Sequence, residues 1–274
     1  MNRVSYYPGC TLKTKAVALE ASAIASMRAL GVELVELPQW NCCGVVASLA
    51  EDDLIRHLAP VRNLIRAGEQ GADTLITLCS MCYNTLAAAN RLVREDEGKR
   101  QTINDFMYEE PDYAGGVEVA HLLGFLRDHV GWQRVREQVK VSLNGMKVVP
   151  YYGCTLHRPR EVGIEPTGSL DAMTGLLEAL GASVPYFPAA AQCCGSYQMV
   201  ANPEAARDAA RTILAGAAQA GAQRIALSCP LCEFNLKRAQ SDLAKDNCPG
   251  ADIPITYFSQ FMAVCFGEWS PQEL

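Results

Sequence analysis

Short apolar runs alternate along this chain with longer stretches in which apolar residues recur at helical spacing. Each short run predicts a strand, and each longer stretch predicts a helix. The runs lie at residues 4–7, 32–37 and 74–78 in the first half and at 147–152, 183–187 and 224–227 in the second. Each half also closes with a predicted strand and helix, at 117–126 and at 255–262.

Local signals mark the ends of several predicted helices. Residues 17–30 and 170–180 each predict a helix, because a glycine suited to a C-cap follows both stretches. Asn202 before Pro203 is a start signal for a helix that runs to Gly221.

Three further segments complete the prediction. Asp52 or Asp53 is expected to cap a helix that contains Pro60, a residue that can kink it. The polar segment 95–111 predicts a loop, and the segment 132–145 predicts a helix and a linker.

The alternation of strands and helices predicts an α/β protein with two pseudo-symmetric Rossmann-like lobes. Each lobe is expected to hold a mostly parallel sheet flanked by helices, with cysteines at the carboxyl ends of its strands. The predicted domains are 1–131 and 147–274, joined by a linker at 132–146.

Twelve cysteines are distributed along the chain, and ten of them form two matching sets. In the first set, 31 residues separate one cysteine from a vicinal pair and 35 more lead to a CxxC motif; the second set has spacings of 38 and 34. A glycine follows each vicinal pair. This repetition predicts a duplicated architecture. The two sets are Cys10, Cys42, Cys43, Cys79 and Cys82, and Cys154, Cys193, Cys194, Cys229 and Cys232.

Composition narrows the function. Apolar residues make up 49% of the chain and charged residues 20%, as expected for a globular protein with a core. A net charge of −6 without a basic run argues against nucleic-acid binding. No apolar stretch is long enough to span a membrane, and the amino terminus lacks the apolar core of a signal peptide. We therefore expect a cytoplasmic protein.

Five converging thiols allow three kinds of chemistry. A disulfide framework needs an oxidising compartment, and pairing of adjacent cysteines forms a strained ring. Structural zinc commonly uses CxxC pairs, but tetrahedral zinc takes four ligands and each half offers five. Iron–sulfur clusters are also held by thiolates, and a fifth thiol would suit an unusual cluster or a spare reactive group.

The doubled cysteine pattern resembles the paired cysteine-rich CCG domains in the B subunit of heterodisulfide reductase. The resemblance runs from Tyr6 to about Phe266. It implies that each five-cysteine set binds one non-cubane 4Fe-4S cluster, and that the two clusters together cleave a disulfide between them. In methanogens the family's substrate is the mixed disulfide of coenzyme M and coenzyme B. For this chain the resemblance implies that disulfide or another disulfide or sulfur compound, with either reduction or reversible formation of the bond.

Several residues near the cysteines are candidates for contact with substrate. Cations that follow the first cysteine of each half could bind an anionic substrate or could be surface charge. His121 and Tyr257 follow the closing strands, where each could donate a proton to a departing thiolate or could hold the fold. The candidates are Lys13, Lys15, His157, Arg158, Arg160, His121 and Tyr257. Cys248 and Cys265 lie outside the repeats and are not expected to be ligands.

The chain contains no dinucleotide fingerprint, phosphate-binding loop or ferredoxin motif, so we expect no flavin or nucleotide in it. Electrons would come from partner subunits. The resemblance implies a ferredoxin-like C subunit and a flavin-containing A subunit. Two other interpretations stay open: a non-catalytic electron-transfer subunit of a lactate, glycolate, succinate dehydrogenase or benzoyl-CoA reductase type complex, and a zinc-stabilised scaffold.

Overall fold

The computed structural model describes residues 2–45, 54–165 and 168–274. The first half contains a four-stranded sheet in the order β2-β1-β3-β4, and every neighbouring pair is parallel. Its strands are β1 (Asn2–Tyr7), β2 (Val32–Glu36), β3 (Thr74–Thr77) and β4 (Glu118–His121). Its helices are α1 (Val17–Ala29), α2 (Ile55–Glu69), α3 (Ser80–Glu95), α4 (Glu97–Phe106) and α5 (Leu122–Phe125).

The second half contains a three-stranded parallel sheet in the order β5-β6-β7. Its strands are β5 (Val148–Tyr151), β6 (Arg224–Leu227) and β7 (Ile255–Tyr257). A helix α6 (Trp132–Gln138) precedes them, and the helices of this half are α7 (Asp171–Ala179), α8 (Pro203–Gln219), α9 (Pro230–Leu243) and α10 (Phe258–Cys265). The predicted α/β class, with parallel sheets flanked by helices in two lobes, is confirmed.

The Asn202 start signal is confirmed, because the Asn202 side chain accepts a hydrogen bond from the backbone N–H of Ala205 at the start of α8. Pro60 lies inside α2, as expected. The caps proposed at Asp52 and Asp53 lie outside the described residues.

The prediction of a loop over 95–111 is wrong, because α4 occupies most of it. Asp96 caps this helix through a 2.9 Å hydrogen bond from the backbone N–H of Lys99 to its carboxylate. Ile103 is fully buried and anchors the helix to the core. A strong cap and one buried contact therefore outweigh a largely polar composition.

The predicted strand at 183–187 is also wrong. Only Ser183 pairs with the second sheet, in a single parallel bridge to Lys147. Pro185 has no backbone N–H and cannot continue the ladder. Within the described residues, the second sheet therefore lacks the edge strand that β2 provides in the first.

The two halves pack through their helices. Helix α10 of the second half packs against α1 of the first, and α5 of the first half packs against α7 of the second. Each contact packs the first helix after a half's opening strand against the helix that follows the other half's closing strand. The interface therefore repeats the pseudo-symmetry of the sequence. The domain limits 1–131, 132–146 and 147–274 stay predictions.

Candidate functional site

Both CxxC motifs straddle the start of a helix at the carboxyl end of a strand. Cys79 is the N-cap of α3 and Cys229 is the N-cap of α9, so the second cysteine of each motif lies in the first turn. A helix N-terminus stabilises a thiolate through its dipole and its free N–H groups. The Cys232 thiol and then the backbone N–H groups of Cys232 and Leu231 lower the pKa of Cys229.

The vicinal pairs lie in the loops after β2 and after the Ser183 bridge. In each pair the first thiol is exposed and the second, Cys43 or Cys194, is buried. The glycine after the pair donates its backbone N–H to the exposed sulfur, at 3.4 Å between Gly195 N and Cys193 Sγ. A pair therefore directs one sulfur outward and the other into the lobe.

A buried tyrosine supports each vicinal loop. The hydroxyl of Tyr7 donates to the backbone carbonyl of Asn41, and that of Tyr151 donates to the carbonyl of Gln192, both at 2.8 Å. Tyr7 therefore corresponds to Tyr151 in the repeat, a register that the two aligned sequence segments leave open. Burial and the nearby cysteine charges raise the pKa of both phenols, so each remains neutral.

The glycine before the first cysteine of each half lies against a buried thiol. Gly9 and Gly153 have positive φ values of 71° and 68°. A Cβ atom at these positions would lie 2.9 Å from the sulfur of Cys82 and 3.3 Å from that of Cys232. The chain therefore needs glycine for both conformation and space.

In each half the five sulfurs form a series of neighbours that shift one another's titration. The sulfurs of Cys10 and Cys42 in the first half are 3.9 Å apart. The order of neighbours is Cys10, Cys42, Cys43, Cys82 and Cys79 in one half, and Cys154, Cys193, Cys194, Cys232 and Cys229 in the other. All ten predicted cysteines therefore gather into two equivalent sets, here called thiol set 1 and thiol set 2.

These neighbours cannot all be thiolates at once. Cys82 donates a hydrogen bond to Cys43, which lowers the pKa of Cys43 to about 7 and raises that of Cys82 well above its ordinary value. In set 2, hydrogen bonds from Cys154 and then Cys194 lower the pKa of Cys193, and the pKa of Cys154 rises. Bound metal would release the protons and would offset the repulsion between the resulting thiolates with its positive charge.

The sets suit a cofactor with several metal atoms. Each half offers five thiols, one more than tetrahedral zinc takes, and thiolates are the usual ligands of iron–sulfur clusters. The donor set therefore fits an iron–sulfur cluster better than tetrahedral zinc.

The two halves place different cations near their first cysteines. The amine of Lys13 lies 2.7 Å from a carboxylate oxygen of Glu20 and 2.6 Å from one of Glu36, and these contacts hold it in an ion pair. The Arg158 guanidinium, in contrast, is among the groups that lower the pKa of Cys193. Lys15 and Arg160 are exposed.

His157 is directed toward a buried carboxylate. Its Nδ1 atom lies 3.9 Å from Glu165, whose other carboxylate oxygen accepts backbone hydrogen bonds from Asp171 and Ala172 at the start of α7. Burial and then the charge of Arg158 lower the pKa of His157. Glu165 escaped sequence reasoning, because only the fold brings it beside this loop.

The two proposed proton donors are both buried. His121 bonds through Nε2 to the Leu78 carbonyl at 3.0 Å, and its Nδ1 accepts from the backbone N–H of Leu123. Burial lowers the pKa of His121 to about 4. Tyr257 is 4% exposed, and burial and then the charge of Glu233 raise the pKa of its phenol. A role in substrate contact stays a prediction for both.

Asn84 is a further residue that sequence reasoning missed. It lies two residues after Cys82, and its amide donates to the backbone carbonyls of Thr155 and Arg158, both at 2.8 Å. Helix α3 of the first half thus holds the loop that follows Cys154 in the second. No sequence signal marks this contact.

The fold and the two thiol sets define a duplicated, thiol-rich α/β protein. A model of the cysteine-rich CCG domain matches residues 4–87 and 148–237, which together make up more than half of the chain. The chain belongs to this CCG cysteine-rich domain family.

Relatives that cover nearly the whole chain add detail. The 8-methylmenaquinol:fumarate reductase membrane anchor subunit of Wolinella succinogenes is 31% identical over 96% of this chain and 92% of its own length. The B subunit of the ferredoxin/F(420)H(2)-dependent CoB-CoM heterodisulfide reductase of Methanosarcina acetivorans is 29% identical over all of this chain and 92% of its own. A protein of Archaeoglobus profundus that is like the heterodisulfide reductase B subunit is 27% identical over 97% of this chain. The resemblance to the B subunit of heterodisulfide reductase is thereby confirmed.

A solved structure shows the same fold. A hypothetical protein from Helicobacter pylori superimposes with a TM-score of 0.72 at 13% sequence identity, over 99% of this chain and 51% of that one. Within the ranges that the structure describes, none of the helices has the length and apolar character needed to cross a bilayer.

Proposed function

We propose that the chain is an iron–sulfur catalytic subunit of the same type as the B subunit of heterodisulfide reductase. Its two thiol sets would hold two non-cubane 4Fe-4S clusters, one in each half. The observation that carries this proposal is that both halves bring five cysteines together in the same order of neighbours, with the sulfurs of Cys10 and Cys42 3.9 Å apart. One incomplete set would support a relay, whereas two complete sets suit a reaction that needs two electrons.

The proposed reaction converts one disulfide, two electrons and two protons into two thiols. When bound, the clusters would supply the electrons, one at a time. The chain's own residues would admit and orient the substrate: Cys10, Cys42 and Cys193 are exposed, so each set has an accessible edge. Arg158 beside Cys193 would attract an anionic part of the substrate.

The substrate is the coenzyme M–coenzyme B heterodisulfide or another disulfide or sulfur compound. A ferredoxin-like C subunit and a flavin-containing A subunit would deliver the electrons, and a cytoplasmic location belongs to the same proposal. The relatives named above as reductase subunits support the need for partners.

The first test is a count of iron, acid-labile sulfide and zinc in anaerobically purified protein. We expect about eight irons and eight sulfides per chain, as two four-iron clusters require. About two zincs without sulfide would instead identify a zinc-stabilised scaffold and overturn the proposal.

A second candidate is a non-catalytic electron-transfer subunit. The similarity to a subunit of a quinol:fumarate reductase favours it. The candidates separate when dithionite-reduced protein, freed of excess reductant, is mixed with the heterodisulfide or a simple disulfide. A catalytic subunit releases thiols as its clusters reoxidise, whereas a relay subunit stays reduced until an electron-accepting partner is added.

A further inference from the structure

Two serine–serine hydrogen bonds cross between the halves of the molecule. The hydroxyl oxygens of Ser80 and Ser228 are 2.7 Å apart, and those of Ser22 and Ser259 are 2.6 Å apart. All four side chains are fully buried. The same kind of hydrogen bond therefore occurs at two places on one interface, although Ser22 and Ser259 also donate to backbone carbonyls.

The two bonds differ in what they join. Ser22 and Ser259 connect α1 to α10, where two helices pack. Ser80 directly follows Cys79, and Ser228 directly precedes Cys229. The Ser80–Ser228 bond therefore links the CxxC segment of thiol set 1 to that of thiol set 2.

Tyr257 gives independent evidence that the segments approach each other here. Burial raises the pKa of its phenol, and Glu233 and the charges of Cys229 and Cys79 raise it further. One buried side chain thus lies within electrostatic range of a cysteine from each set. Together with the Ser80–Ser228 bond, this places Cys79 and Cys229 on the same buried part of the interface.

We propose that Ser80 and Ser228 are positioning residues whose hydrogen bond sets the separation between the two thiol sets and the clusters they hold. This inference rests on the proposed function for the presence of two clusters. Ser80 is also the first residue of α3, so a shift there moves Cys82 together with Cys79. Close packing transmits such a shift, because the buried segments have no free volume to absorb it.

The test compares Ser80→Ala and Ser228→Ala with the matched controls Ser22→Ala and Ser259→Ala. Ser80→Ala and Ser228→Ala each leave a buried hydroxyl without its partner, so both are expected to lower the urea midpoint of unfolding. In the controls the remaining hydroxyl still donates to a backbone carbonyl, that of Ala18 for Ser22 and that of Leu19 for Ser259, so their midpoint should fall less. The distinguishing readout is the magnetic interaction between the two reduced clusters, seen as a splitting of the electron paramagnetic resonance signal. Dipolar splitting falls with the cube of the distance.

We expect Ser80→Ala and Ser228→Ala to keep wild-type iron content but to show a smaller splitting as the segments separate. The controls should retain the splitting. The double variant Ser80→Ala/Ser228→Ala pairs two methyl groups and avoids the orphaned hydroxyl, so it keeps the test decisive where a single variant does not fold. Ser80→Thr, which retains the hydroxyl, should show the wild-type splitting.

Two outcomes would contradict these expectations in different ways. Full iron content with unchanged splitting in both single variants and the double variant overturns the positioning role alone. Wild-type protein that contains no iron overturns the proposed function itself, and with it the role of the serine pair.

Discussion

The first and second halves each bring five equivalent cysteines together in the same order, yet different charged residues surround the two sets. Lys13 is held by Glu20 and Glu36, while Arg158 at a similar place in the second half acts on Cys193. The closing strands end in a histidine in one half and a tyrosine in the other. The duplication therefore retained the arrangement of the thiols and left the surrounding electrostatics to diverge.

The largest expected effect is a loss of iron when a cysteine of one thiol set is replaced, which tests whether the two halves bind metal independently. Cys43→Ser and Cys194→Ser each remove one buried sulfur, so we expect iron to fall from about eight to about four per chain in either variant. Iron and sulfide analysis after anaerobic purification measures this. Loss of all iron from one variant would mean that the sets fold as a single unit, and unchanged iron would refute the ligand assignment.

A pH experiment separates His121 from its counterpart Tyr257. The folded pKa of His121 is about 4, whereas an unfolded histidine titrates near 6.5. Between these values the unfolded state binds the extra proton, so the free energy of unfolding should fall as pH drops from 6.5 to 4. The total loss is roughly 3 kcal/mol.

Urea unfolding of the metal-free, reduced protein across that range measures the slope. His121→Gln should remove His121's share of the slope, while Tyr257→Phe should leave it unchanged. An equal slope in wild type and His121→Gln would place the pH dependence elsewhere.

The glycines before the first cysteines provide a graded comparison. An added Cβ lies 2.9 Å from sulfur at Gly9 but 3.3 Å at Gly153, so Gly9→Ala should destabilise more than Gly153→Ala. Gly71 has a similar φ of 70° with nothing within 4 Å, so Gly71→Ala reports strain alone, about 1 kcal/mol. Urea unfolding ranks the three, and equal losses would show that the contact with sulfur costs nothing.

The different cations predict different reduction potentials. Removing a positive charge beside an anionic cluster favours its oxidised state, so Arg158→Gln should lower the potential of the second cluster. Lys13→Gln should leave the first cluster unchanged and cost no more than about 1 kcal/mol of stability. Redox titration followed by electron paramagnetic resonance measures both, and a shift caused by Lys13→Gln alone would reverse the assigned asymmetry.

The smallest expected effect on iron content comes from replacing the two cysteines that have no counterpart in the first half. Cys248 lies in a loop and its thiol bonds to the Pro249 carbonyl, while Cys265 is buried in α10 and its thiol bonds to the Leu180 carbonyl. Both thiols therefore bond to backbone outside the thiol sets, so Cys248→Ala and Cys265→Ala should keep full iron content. A fall in iron for Cys248→Ala would extend the ligand set beyond the repeats.

Local signals predicted most of the elements because strands and helix ends depend on neighbouring residues. The 74–78 run became β3, and Asn202 with Pro203 began α8. The errors at 95–111 and 183–187 arose where one residue outweighed the average composition. The Asp96 cap allows a helix in a segment of polar composition, and Pro185 prevents a strand in a largely apolar segment.

The order and spacing of residues along the chain were enough to predict the duplication and the α/β class, because a repeated motif and the alternation of strands and helices are visible in one dimension. They also placed both CxxC motifs directly after strands. Folding in three dimensions specified which sulfurs touch, that Tyr7 matches Tyr151, and that Asn84 and the Ser80–Ser228 bond join the halves. These last two contacts connect residues that are 71 and 148 positions apart. Their partners are chosen by packing between elements, which a local pattern does not encode.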